Sequence, residues 1–78
     1  MYNADIMVNT RREQKLVTGA DTPASILSDM GVNMSNQFSI NGSTLSAVDM
    51  QTPISALAAK FGFTDSFFLT SVVKTQNA

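Results

Sequence analysis

The chain contains no cysteine and no histidine among its 78 residues. Their absence takes away disulfide staples, thiol nucleophiles, imidazole bases and the usual zinc ligand sets together. Charge is also sparse: five basic and six acidic side chains leave a net charge of -1, which supplies no field to draw nucleic acid or an anionic membrane. No apolar run approaches membrane-spanning length. The opening Met1-Tyr2-Asn3-Ala4-Asp5 has neither the basic region nor the apolar stretch of a signal peptide. Small secreted domains often depend on staples, so the expected setting is the reducing cytoplasm. What is present is a 44% hydrophobic, 14% charged composition, which belongs to a folded globular domain rather than a disordered tail.

Local signals divide the chain into alternating strands and helices. Tyr2, Ala4, Ile6 and Val8 alternate with Asn3, Asp5 and Met7, the period of a half-buried strand. Thr10-Arg11-Arg12-Glu13 reads as a polar turn, and residues 14–18, centred on Leu16 and Val17, as the returning strand closed by Gly19. Thr22 and Pro23 then form a helix start, an N-cap followed by a residue whose missing amide costs nothing there. Ile26, Leu27 and Met30 share one face, and Gly31 with Val32 offers the left-handed ending and its apolar follower, so a helix is expected over 23–30. A polar loop over 33–36 leads to a strand carrying Phe38 and Ile40. Asn41-Gly42 is a strong hairpin signal because both residues tolerate positive φ, and a brief return strand runs through Thr44 and Leu45. A second helix is expected from Thr52-Pro53 through Ile54, Leu57 and Phe61, ending at Gly62-Phe63. Residues 66–74, with Phe67, Phe68, Leu69, Val72 and Val73, carry apolar side chains on both faces, as a central strand does.

The order of hairpin, helix, strand, short hairpin, short helix and central strand resembles the ubiquitin-like β-grasp family. Asp5-Ile6-Met7-Val8-Asn9-Thr10 is similar to that family's first strand, Asp21-Thr22 to its helix start, and residues 38–45 to its third strand, glycine turn and following leucine. From Gly62 to Ala78 the chain lies on the family's last strand and tail without a gap. The resemblance implies an α+β domain over residues 1–74. Its mixed sheet of four to five strands would pack on one main helix plus a short second helix, and residues 75–78 would form a flexible tail. It further implies a ubiquitin-like protein modifier of a bacterial or phage-type conjugation pathway. An adenylating activating enzyme, a transferring enzyme and a target protein would be its partners. Ala78 would carry the acyl group while Thr75, Gln76 and Asn77 thread the enzyme's active site. Members of the family usually end in Gly-Gly where this chain has Asn77-Ala78. The implied docking face comprises Met7, Ser39, Thr70 and Val72. Serine at position 39 makes a poor apolar patch, so the receptors that read such a patch in ubiquitin relatives are not expected to bind. The runner-up is a plain β-grasp interaction module (a regulator, inhibitor or assembly subunit), and a sulfur carrier, which shares the pattern, ranks third because the Gly-Gly end is missing.

Catalysis and cofactors are not expected. Serine and threonine abound, but a serine nucleophile needs a base held beside it. Lys15, Lys60 and Lys74 sit in polar or helix-end contexts, and the acidic residues are scattered with no metal-binding run. Arg11, Arg12 and Lys15, offset by Glu13, read as a solvated turn before they read as a docking spot. Met30 fits core packing, whereas Met7, out of phase with Ile6 and Val8, is the methionine expected on an open face.

Overall fold

The alternation in the first segment becomes a strand, β1 (Tyr2–Val8), with Ala4, Ile6 and Val8 buried and Asn3, Asp5 and Met7 on the opposite face. In the computed structural model, residues 1–8, 10–32 and 37–72 are described, Val72 by its main chain only. The loop expected over 33–36 and the tail over 75–78 lie outside them. Further elements are β2 (Arg11–Val17), α1 (Pro23–Asp29), β3 (Gln37–Ile40), β4 (Ser43–Thr44), α2 (Ala47–Met50), α3 (Ile54–Phe61) and β5 (Ser66–Val72). The strands form one mixed five-stranded sheet in the order β2-β1-β5-β3-β4. β1 and β5 are parallel, and the other neighbouring pairs are antiparallel. With three helices among the described residues, the chain is a small α+β domain. No helix among the described residues is long and apolar enough to cross a membrane.

Capping chemistry sets α1. The Thr22 hydroxyl accepts from the Ser25 amide at 3.0 Å, and the Ser25 hydroxyl accepts from the Thr22 amide at 2.9 Å, a reciprocal capping box. At the other end Gly31 adopts φ 72°, so that the Gly31 amide reaches Ser28 O and the Val32 amide reaches Leu27 O, the Schellman pattern. Asn41 and Gly42 both take positive φ, 52° and 87°, as the tight β3–β4 turn requires.

Four expectations are corrected. The residues 11–13 are strand, not turn: Arg11, Arg12 and Glu13 pair with Val8, Met7 and Ile6. The short helix α2 is additional, capped by Ser46 and Asp49 in a second capping box. Thr52 does not cap α3; its hydroxyl donates to Val48 O at 2.7 Å, and Pro53 occupies the cap position without a side-chain bond. Two amides of the first turn of α3 are instead taken up by the loop before α1, with Ile54 N–H donating to Asp21 O at 2.8 Å and Ser55 N–H to Gly19 O at 3.1 Å. Gly19 suits this close approach, since an added Cβ would stand 3.0 Å from Ser55 Cβ, tighter than ordinary contact. α3 is also not the minor helix expected, having eight residues to the seven of α1.

The core lies on one side of the sheet. Ile6, Phe38, Ile40 and Leu69 meet Ile26 and Leu27 of α1 and Ile54 and Leu57 of α3, all essentially fully buried. Phe63 closes one end, edge-on to Tyr2 at 6.0 Å between ring centroids and tilted against Phe67 at 5.1 Å.

Candidate docking face of the sheet

Because strand side chains alternate, the residues that fill the core fix what faces the other way. The registers place Arg12, Met7, Thr70, Ser39 and Thr44 in one row across the outer face, from edge to edge. The next row brings Gln14, Asp5 and Phe68 together, and Asn41 completes it through hydrogen bonds: its amide donates to Phe68 O, and its side-chain Oδ1 accepts from the Phe68 amide, both at 2.9 Å. Asn41 thus extends the β3–β5 pairing into the turn and fixes the strand under Phe68.

The sequence-derived face is brought together in part. Met7 and Thr70 are half-buried neighbours in register, and Ser39 lies directly beside Thr70. Ser39, however, is only 6% exposed, and its hydroxyl is spent on Thr70 Oγ1 at 2.9 Å. It anchors two strands and offers little to a partner. Val72 is paired with Gln37 in the strand, and its side chain lies outside the described residues. Thr75, Gln76, Asn77 and Ala78 lie outside them as well.

Phe68 is the residue that the expectation passed over. It is 37% exposed, on the face of the sheet opposite the core. Around it Asn3, Asp5, Gln14, Asn41 and Ser66 line an open hollow of about 540 Å³. Its signal was in the alternation: Phe67 and Leu69 are buried, so Phe68 between them must face outward. A large aromatic surface set among polar groups is the composition of a binding hot spot. On this face Asp5 is held by Arg12 in a two-pronged pair at 2.8 and 3.1 Å. The hydrogen bond to Asp5, and then its charge, raises the Arg12 pKa above its ordinary value.

The basic cluster of the first hairpin is dispersed by the strand it occupies. Arg11 opposes Val8 on the helix side and donates to Met30 O at 3.1 Å and to Glu13 at 2.9 Å, whereas Arg12 opposes Met7 on the outer face. Elsewhere, Asp49 is 5% exposed, bonded to the Ser46 amide at 3.1 Å and to Lys60 Nζ at 2.7 Å. The Lys60 hydrogen bond, then the Ser46 main-chain amide, holds the Asp49 carboxyl below its usual range. Lys60 is therefore engaged as a counter-ion, and the pair fastens α2 to α3. Among the described residues no group of three or more acidic, cysteine or histidine side chains is placed to hold a metal ion. No protein-family model matches the chain, and no curated protein matches it.

Proposed function

We propose that this chain works by being bound, as a ubiquitin-like β-grasp protein read by protein partners through the uncovered face of its sheet. The observation that carries this reading is Phe68, an aromatic ring left 37% exposed at the centre of a polar face. Within that class the proposed role is that of a protein modifier of the bacterial or phage conjugation type, working in the cytoplasm. A cognate activating enzyme adenylates the carboxyl group of Ala78, Thr75 to Asn77 thread its active site, and a transferring enzyme passes the chain to a target. Support comes from the element order and from the mixed five-stranded sheet, both of which the resemblance implies. The absence of cysteine and histidine makes a role as an enzyme the poorer fit.

The test is intact-mass analysis and pull-down of a tagged chain in the cells that encode it. Conjugation predicts adducts that vanish when Asn77 and Ala78 are deleted. Finding free protein alone, with the deletion silent, sinks the modifier role. A non-conjugated interaction module is the second reading, favoured by the hollow around Phe68, whose described lining comes from three strands and the β3–β4 turn. It predicts partners that are lost with Phe68→Ala and retained when the last two residues are removed. A C-terminal thiocarboxylate in the intact mass would instead mark a sulfur carrier.

A further inference from the structure

Among the described residues β2 is the long edge of the sheet, with β1 on one side and no strand on the other. Which of its main-chain groups are unused follows from β1. The Asn3 amide donates to Asp65 O at 2.9 Å, towards β5. Main-chain groups of successive residues in a strand point to alternate sides, so Asn3, Asp5 and Met7 serve β5 while Tyr2, Ala4, Ile6 and Val8 serve β2. Their partners Val17, Lys15, Glu13 and Arg11 are therefore tied to β1. Arg12, Gln14 and Leu16 turn their N–H and C=O groups outward, along the edge where another strand can pair.

Edge strands are usually kept apart by charge. Here the charges are self-complementary. We infer that β2 pairs antiparallel with β2 of a second copy about a two-fold axis at Gln14, joining the two sheets into one. In that register Arg12, Gln14 and Leu16 form the hydrogen-bonded pairs, Gln14 with itself and Arg12 with Leu16. Glu13 then faces Lys15 of the second copy, and Lys15 faces its Glu13, both at non-hydrogen-bonded positions where side chains stand closest. Lys15 has no ion-pair partner among the described residues of its own chain. Leu16, 62% exposed, comes to lie under the aliphatic stem of Arg12 of the other chain.

The neighbouring registers are closed by repulsion. Only shifts by two positions keep outward groups opposite outward groups. One such shift sets Glu13 against Glu13 and Arg11 against Lys15, and the other sets Lys15 against Lys15. Like charges directly opposite destabilise a pair. The two-fold contact uses the same edge on both chains, so it closes as a dimer and does not propagate.

Sedimentation equilibrium over a wide concentration range tests this. The wild-type mass rises from that of one 8.4 kDa chain to twice that value, and less readily at high salt. Glu13→Lys and Lys15→Glu each stay at one chain mass, an equimolar mixture of the two associates, and the double exchange restores association. Gln14→Pro removes an outward donor while leaving the bonds to β1 intact, and it too stays at one chain mass. Circular dichroism confirms that each variant is folded. A wild type of one chain mass at every concentration overturns the inference. So does a double exchange that stays monomeric, or a Gln14→Pro variant that associates as the wild type does.

Discussion

Asp49 illustrates how much a single side chain is asked to do. Its carboxylate closes the cap of α2 through the Ser46 amide and anchors Lys60 of α3, where the ammonium also lies 5.4 Å from the Phe61 ring centre. Its pKa in the folded chain is lowered. The stabilisation it gives is thus complete above the ordinary carboxylate range and is lost as pH falls through the lowered value. Urea unfolding across acid pH should show Asp49→Asn less stable than wild type at neutral pH, with the gap closing in acid. Parallel curves would show that the ion pair contributes nothing. Phe68 is the opposite case, exposed and outside the core. Phe68→Ala should cost only about 1 kcal/mol of stability, the scale of a cross-strand aromatic contact, while removing the partner binding proposed for this face. The outward place of Phe68 is legible from the period of its strand. The burial of Ser39 is not, because it depends on Thr70 arriving beside it from the far end of the chain.

At the scale of elements, the two long helices have similar sequences at their starts and different physics. Thr22 makes a capping box, so Thr22→Ala should cost about 1 kcal/mol in thermal or urea unfolding. Thr52 caps nothing in α3, and Thr52→Ala should stay within about 0.5 kcal/mol of wild type. Equal losses at the two threonines would refute this account of the caps. Gly19→Ala should cost about 1–3 kcal/mol, because the new methyl group crowds Ser55 where α3 borrows its first-turn acceptors. Thr-Pro openings and glycine endings made the helices legible, and Asn41-Gly42 made the hairpin so. The substitute cap of α3 was hidden, since its acceptors Gly19 and Asp21 lie more than thirty residues upstream of the amides they serve. Strand residues Arg11 to Glu13 were hidden for a related reason: they have the composition of a turn and are held extended by β1 alone. The helix α2 has four residues, a single turn too short to display a helical period.

For the whole molecule, a small chain draws most of its stability from one core. Phe38 and Leu69 come from antiparallel neighbours and are 1% and 0% exposed. Replacing either by alanine should cost about 2–5 kcal/mol, a large share of the roughly 5–15 kcal/mol that holds a domain together. Near-neutral unfolding curves at both sites would count against the packing described. The sheet order has one more consequence. β1 opens the described chain, β5 closes it, and the two run parallel at the centre of the sheet. A pull on the two ends draws these strands past one another along their length, so the bonds between Asn3–Met7 and Ser66–Thr70 bear the load together. The same number of bonds in a hairpin pulled from its open end would break in succession, each bearing the load alone. Mechanical toughness, directed along the line between the ends, is therefore built into the order of the strands.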